Sequence, residues 1–159
     1  MTLVRRLVVV TLVALVLPSC AARGIDFFID DRVAIVAPTD GEEVELPLEI
    51  RWEVQDFEGR FVVLLDDARP MRPGSDLRSL VGSDDTCHRD DTCLSDAWLA
   101  DRDIYVTDAT TLRIDRLPDR SGARSDRDVH EVSIVLIDES GRRSSEAVFR
   151  REFVIDRSA

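Results

Sequence analysis

The chain has 159 residues, with 21 basic residues against 32 acidic ones, so its formal net charge is −11. This length is typical of one small domain. The acidic excess argues against nucleic acid as a partner, because phosphate groups require a basic surface. It argues equally against charge-driven binding to an anionic membrane.

The first residues have the three parts of a secretory signal. Two arginines precede an apolar stretch, residues 7–17, and Pro18, Ser19 and Cys20 follow it. A basic start, an apolar run of about 7–15 residues and small residues at the cleavage point define such a signal. The run is shorter than the roughly 20 residues of a membrane-spanning helix. We therefore predict that residues 1–19 are a signal peptide that is removed.

The end of this signal, from Leu17 to Cys20, resembles the lipobox of bacterial lipoproteins, in which a Leu, two small residues and an invariant Cys direct lipid attachment and cleavage. The resemblance implies that Cys20 is the first mature residue and carries covalent lipid. Two or more acyl chains would make that attachment stable. The implied location is the cell envelope, lipid-anchored and facing the periplasm or the exterior. The alternative is an ordinary cleaved signal with a chance Cys.

Removal of residues 1–19 would leave 140 residues and a net charge near −13, because that segment holds two arginines and no acidic residue. A strongly charged surface favours solubility. Residues 20–32 are predicted to be the lipidated Cys and a tether. The apolar residues 27–29 within it are either a first edge strand or a contact with the domain.

From residue 33 onward, strand-like segments alternate with turn signals. Residues 33–37 form the first predicted strand. Apolar and polar residues then alternate over nine positions, 46–54, which is the mark of a half-buried strand. The apolar members are Leu46, Leu48, Ile50, Trp52 and Val54. Residues 61–65 are uninterruptedly apolar, which predicts a strand covered on both faces.

Residues 75–103 are polar, acidic and without a clear period. We predict a long loop excursion here, with a short helix around residues 95–99. A loop of this length in a compact domain is uncommon and often functional. Exposed aromatic residues concentrate at interfaces, so Trp98 is the candidate partner contact. Packing of Trp98 at the edge of the core is the alternative.

The excursion holds the two cysteines that the lipobox does not use. Cys87 and Cys93 form a pair in an exported chain, where oxidation is the default. We predict a disulfide that closes a short loop. A metal site is the alternative, but two thiols and His88 lack the spacing of a zinc module.

Four aspartates flank this cysteine loop and could supply the hard oxygen ligands that calcium favours. They are Asp84, Asp85, Asp90 and Asp91. The D-x-D-x-D-G spacing of a calcium loop is missing, and a solvated run of charge is the alternative. Apart from this calcium candidate and the lipid at Cys20, no cofactor is expected.

Strands resume at residues 104–106 and 111–114. After a polar loop at 118–128, apolar and polar residues alternate again over 131–136. The Asp138-Glu139-Ser140-Gly141 segment is typical of a hairpin turn, and the last strand covers 148–155. About seven strands, without a helix that has an apolar stripe, predict an all-β, antiparallel sandwich.

Several of these segments resemble immunoglobulin-like and fibronectin type III-like domains of bacterial surface proteins. Residues 46–52 and 61–66 are similar to their second and third strands, 112–117 to the fifth strand and 130–141 to the sixth strand and its hairpin. The tyrosine usual at the start of the sixth strand is absent. The resemblance implies an immunoglobulin-like sandwich over residues 33–157, with a long disulfide-containing loop.

Few residues suit catalysis. Any Ser-His-Asp or Cys-His arrangement would need His88 or His130, the two histidines of the chain, and His130 is expected to pack or bond to the loop before its strand. We predict a non-enzymatic module that binds a protein partner or forms part of an envelope assembly, with 75–103 as its contact region. The main alternative is a carbohydrate-binding module for cell-wall or capsular glycan, recognisable by exposed aromatics on one sheet. An enzyme with an unrecognised site is the third.

Overall fold

The computed structural model describes residues 30–66, 68–81, 94–117 and 128–157. Within these ranges lie eight strands, a 3-10 helix (Leu77–Leu80) and one short α-helix, α1 (Asp96–Ala100). The strands are β1 (Val33–Ala37), β2 (Glu42–Val44), β3 (Leu48–Val54), β4 (Arg60–Leu65), β5 (Ile104–Thr107), β6 (Thr111–Ile114), β7 (Val129–Ile137) and β8 (Phe149–Ile155). No helix in the described segments has the length and apolar character needed to cross a membrane.

The strands form two sheets, which confirms the predicted all-β class. A three-stranded sheet has the order β1-β3-β6, and a five-stranded sheet has the order β2-β8-β7-β4-β5. The described residues contain eight strands, in keeping with the expected number of about seven. One detail of the prediction is wrong: β2 runs parallel to β8 where an antiparallel sandwich was expected. A turn after Pro38 carries the chain to this second sheet, where the Gly41 amide donates to the Glu152 carbonyl at 2.8 Å.

The sandwich core lies between the two sheets and follows the predicted alternation. Residues Leu48, Ile50 and Trp52 of β3 point inward and are at most 5% exposed. The Trp52 ring meets the Phe61 ring edge-on, with centroids 5.4 Å apart, a favourable geometry for aromatic pairs. β3 begins at Leu48, directly after Pro47, which has no amide to donate to a sheet. The core is therefore built by alternate residues of both sheets.

A second cluster covers the opposite face of the five-stranded sheet. We call it the outer-face cluster; its buried members are Val62, Leu64, Met71, Leu99, Ile104, Val135 and Ile137. It explains why residues 61–65 are all apolar, and it confirms that β4 is covered on both faces. The predicted short helix near 95–99 is also confirmed: Ser95 caps α1, and Leu99 is buried. The described parts of the 75–103 excursion thus pack against the sheet.

Arg143 joins the outer-face cluster to the segment between β7 and β8. Its side chain is buried and donates to backbone carbonyls on both segments: Nη1 to Met71, Nε to Ser145 at 2.5 Å, and Nη2 to Glu146 and to Ala147, the last at 3.0 Å. Burial lowers the pKa of the guanidinium, which nevertheless stays charged because arginine is not deprotonated in proteins. A buried cation thus holds two backbone segments together.

Candidate functional site

Most of the predicted site residues lie outside the described residues. They are Cys20, Cys87, Cys93, Asp84, Asp85, Asp90 and Asp91, together with His88. Lipidation, the disulfide and calcium binding therefore stay predictions. Within the described ranges, no group of three or more His, Cys, Asp or Glu residues is placed to hold a metal ion.

Trp98 lies on α1, at the rim of the outer-face cluster, and is half-buried. The Trp98 amide donates to the Ser95 hydroxyl at 3.3 Å, which caps the helix. The guanidinium carbon of Arg102 stands 3.8 Å from the centroid of the Trp98 ring, a cation–π contact. Trp98 thus packs at the edge of the outer-face cluster, in agreement with the alternative prediction that it lies at the edge of the core. Its role as a partner contact stays a prediction.

A cavity of about 330 Å³ opens beside α1, where the covering meets β4 and β5. Leu77, Leu94, Leu99 and Val106 line it with apolar groups. Its polar lining comes from Arg60, Asp96, Thr107 and Asp108. This volume is at the small end of ligand pockets. The two carboxylates and one guanidinium give it charges of both signs, so the lining points to no single ligand class.

The outer face of the three-stranded sheet is polar and small-chained. Its described side chains belong to Ala34, Val36, Glu49, Arg51, Glu53, Thr111 and Arg113. None of these is aromatic, so this face lacks the stacking row that a carbohydrate-binding module would present. Glu49 and Arg51 contact each other at 3.5 Å while both remain well exposed, and exposed pairs of this kind contribute little to stability.

A buried ionic group lies at the other end of the five-stranded sheet. We call His130, Asp66, Asp128 and Arg157 the His130 cluster. His130 Nδ1 lies 3.1 and 3.0 Å from the two carboxylate oxygens of Asp66. His130 Nε2 lies 3.1 Å from Asp128 Oδ1, which is within ion-pair distance. Arg157 Nε donates to Asp128 Oδ2 at 2.6 Å.

Strand ends bring the cluster together. Asp66 ends β4 with a left-handed backbone, φ 55°, a conformation that Asp tolerates better than most residues. The Asp66 amide donates to the Glu131 carbonyl at 2.8 Å, and the Glu131 amide donates back to Asp66 Oδ1 at 3.2 Å. Asp128 precedes β7, and its carbonyl accepts from the Ile155 amide on β8 at 2.9 Å. Three neighbouring strands therefore position the two carboxylates.

The electrostatics of the cluster favour a charged imidazole. Burial is the largest single influence and lowers the pKa of His130. The hydrogen bond and charge of Asp66, with the charge of Asp128, outweigh it, so the pKa is raised above its ordinary value. The side chain of His130 is wholly buried, and the Phe153 ring stacks on it with centroids 5.7 Å apart. Both ring nitrogens face carboxylates.

The sequence anticipated only part of this cluster. His130 was expected to pack or bond to the loop before its strand, and it contacts Asp128, the residue directly before β7, at 3.1 Å. Asp66 was missed because it lies 64 residues away along the chain. One signal was available: His130 lies two residues before Val132 and four before Ile134, so its side chain points to the same face of β7 as theirs, toward the core. A polar residue at such a position requires a buried partner.

In comparisons with protein-family models, with curated proteins and with solved structures, no match to this chain is found. Among the described residues, the features that bear on function are the order of the strands, the rim of α1 and the His130 cluster.

Proposed function

We propose that this chain is a lipid-anchored, non-enzymatic module of the bacterial cell envelope. In this proposal an immunoglobulin-like sandwich binds a protein partner or forms part of an envelope assembly. The observation that carries the domain type is the strand order, β1-β3-β6 facing β2-β8-β7-β4-β5. This order supports the proposal, because in immunoglobulin-like domains the first, second and fifth strands lie in one sheet and the third, sixth and seventh lie in the other. A fold alone does not determine a function, so the remaining support comes from the tether and the surface.

The tether would hold the domain away from the membrane. About ten residues separate Cys20 from Asp30, and a chain of that length reaches at most roughly 35 Å. Asp30 is fixed to the domain: Arg32 donates to its carboxylate at 2.8 and 2.9 Å, and the Ser145 hydroxyl donates at 2.5 Å. The side-chain hydrogen bond from Arg32 holds the pKa of Asp30 far below its usual range. Asp30 is therefore attached to the described domain through the Ser145 hydroxyl.

The proposed contact surface is the exposed rim of α1. Trp98 and Arg102 stack there, and Trp and Arg are the residue types most enriched among the residues that dominate binding energy at interfaces. The rim belongs to the excursion that was predicted as the contact region. The glycan alternative has less support, because the outer face of the three-stranded sheet carries no aromatic residue among its described side chains.

Replacing Cys20 with Ser tests the anchor. The acidic module has no charge affinity for anionic lipid, so lipid would supply essentially all of the attachment. We expect the wild-type chain to sediment with membranes and Cys20→Ser to be exported in soluble form. Membrane fractionation and fatty-acid labelling measure this. The matched control is the double variant Cys87→Ser, Cys93→Ser, which should stay membrane-bound. Tight fractionation of Cys20→Ser with membranes would refute the anchor.

Replacing Trp98 with Ala tests the contact surface. If this rim binds a partner, truncating a central aromatic should cost about 2 kcal/mol or more, which is more than a tenfold loss of affinity. The immobilised Cys20→Ser chain is exposed to solubilised envelope proteins, and captured proteins are quantified. Arg113→Ala, on the outer face of the three-stranded sheet, is the control and should capture as wild type does. Thermal melting verifies that each variant is folded.

Two outcomes would contradict this assignment. Equal capture by wild type and folded Trp98→Ala would remove the rim of α1 as the contact. Binding on a glycan array that Trp98→Ala abolishes would favour the carbohydrate-binding alternative over the protein partner.

A further inference from the structure

The outer strand β5 has backbone groups that its sheet does not use. β5 is the last strand of the five-stranded sheet and pairs with β4 alone among the described strands. The Leu65 amide donates to the Asp103 carbonyl at 2.9 Å, in register with the rest of the β4–β5 pair. Bonded and non-bonded pairs alternate along antiparallel strands, so Ile104 and Val106 do not bond to β4. Their amides and carbonyls point away from the sheet, along a side that we call the β5 edge.

The described chain does not fill the β5 edge. None of the hydrogen bonds between described residues reaches the outward amide or carbonyl of Ile104 or Val106. Residues 108–110 lead directly from β5 to β6 in the other sheet, and this connection is too short to hold a further strand. Ile104 is buried, whereas the residues from Tyr105 to Thr107 are partly exposed. The accessible part of the edge is therefore centred on Val106.

The other outer strands of the two sheets carry charged groups that discourage pairing with another chain. β2 has two exposed glutamates in its three residues. β6 has the exposed Arg113, which donates to Asp115 at 2.9 Å. On β1, the Ile35 carbonyl accepts from Arg151 Nη2 at 3.3 Å. β5, with the sequence Ile-Tyr-Val-Thr, contains no charge and consists of residue types that favour strands. Among the described strands, β5 is the one best suited to accept a further strand.

The charges near the β5 edge favour a basic occupant. Asp101 and Asp108 bracket β5 in the sequence, and both are exposed. The one cation between them, Arg102, lies over the Trp98 ring at 3.8 Å. The whole chain has a net charge of −11, so a second copy at this edge would bring like charges together. Complementary charge favours association and suppresses wrong partners, which makes a basic segment of another protein the better fit.

We propose that the protein partner adds an extended, basic strand to the β5 edge, beside the rim of α1. This inference rests on the proposed function, because residues 101–103 join α1 directly to β5 and make the edge a continuation of the proposed contact surface. In strand addition, main-chain hydrogen bonds supply affinity and side chains at alternate positions supply specificity. A glycan has no regular series of amides and carbonyls to complete this pairing, so the edge selects a polypeptide.

Nuclear magnetic resonance on the full mature chain, with Cys20→Ser for solubility, tests strand addition with a defined probe. The probe is a short peptide of alternating valine and lysine. Its matched control is the same peptide with every internal amide N-methylated, which removes the backbone donors. We expect the first peptide to shift the amide resonances of β5 in a saturable way and the N-methylated peptide to leave them unchanged. No saturable shift in β5, or equal shifts with both peptides, would overturn the proposal.

Replacing Val106 with Pro tests the same edge in the chain itself. Proline removes the outward amide and leaves the bonds of Tyr105 and Thr107 to β4 in place. We expect Val106→Pro to weaken binding of the valine-lysine peptide, and capture of envelope proteins by the immobilised chain, by about tenfold or more. Thermal melting verifies that the variant is folded. If it fails to fold, the comparison of the two peptides still decides.

Arg113→Pro is the matched control. The Trp52 amide donates to the Thr110 carbonyl at 3.0 Å, in register with the β3–β6 pair, so the Arg113 amide points away from β3 by the same alternation. Proline at this position removes an outward amide from an edge outside the proposed surface. Peptide binding and capture should therefore stay as in the wild type.

The outcomes separate this inference from the proposed function. Loss of capture in Trp98→Ala but not in Val106→Pro would refute strand addition and leave the contact at the rim of α1 standing. Equal capture by both variants and the wild type would refute both. A chain that sediments as a dimer, and as a monomer in Val106→Pro, would place a second copy on the β5 edge and overturn the partner strand.

Discussion

Replacement of Phe153 by alanine is expected to lower the free energy of unfolding by about 3–5 kcal/mol, the range observed for truncation of a buried aromatic residue. Phe153 is fully buried on β8, an interior strand of the five-stranded sheet between β2 and β7. It pairs with His130 on β7 on one side and with Glu42 on β2 on the other. Its removal would leave a cavity in the sandwich core and would uncover the imidazole face.

Urea unfolding of the two chains measures this difference. Phe153→Leu is the matched control, because it keeps most of the apolar volume and removes the stacking on His130. We expect it to cost about 1 kcal/mol, within the range of aliphatic replacements that nearly conserve volume. A loss of less than about 1 kcal/mol for Phe153→Ala would contradict the assignment of this ring to the centre of the core.

The long strands could be predicted because the order of apolar and polar residues within each strand indicates which side chains are buried. β3 alternates over its whole length, and its inward side chains meet the core as expected. β2 could not be predicted: it has three residues, and two of them are exposed glutamates. Its place depends on pairing with residues 153–155, about 110 residues further along the chain. A short edge strand of this kind is formed by its partner and leaves no periodic signal of its own.

The residues that cover the outer face of the five-stranded sheet could be predicted only in part. The unbroken apolar run 61–65 predicted burial on both faces of β4, and that prediction is confirmed. The covering residues could not be identified, because Met71, Leu77 and Leu99 are scattered through a polar segment without a helical or strand period. Their burial is decided by tertiary contacts, which override local propensity.

The buried polar groups were the least predictable part. His130 carried a signal through its parity on β7, but its partner Asp66 is joined to it only by the fold. Arg143 carried no signal, since arginine beside a turn is ordinarily exposed. Buried ionic groups of this kind cost desolvation energy and persist where opposite charges or hydrogen bonds compensate them. They are therefore properties of the assembled sandwich, and functional hypotheses that rest on them require the structure.

Replacement of Arg143 by methionine is expected to lower the free energy of unfolding by about 3 kcal/mol or more. Met has similar length and would fill most of the space, so packing alone would favour it. The partners of the guanidinium are backbone carbonyls, including that of Met71, and they cannot be exchanged for apolar groups. Each buried acceptor left unpaired costs about 1–3 kcal/mol. Replacing both members of a buried ion pair by apolar residues is often neutral. That result does not apply here, because the backbone carbonyls that accept from Arg143 remain in place.

The neighbouring arginine provides the control for this prediction. Arg142 is exposed and donates from its side chain to the Gly74 carbonyl at 3.2 Å, so Arg142→Met should change stability by less than about 0.5 kcal/mol. Arg143→Lys keeps the charge but loses the planar fork of donors, and we expect an intermediate loss. Amide exchange should show the effect of Arg143→Met first at Leu77, whose amide donates to Gly141 across the same junction. If Arg143→Met and Arg142→Met unfolded at the same urea concentration, the guanidinium would not be what holds the covering on the sheet.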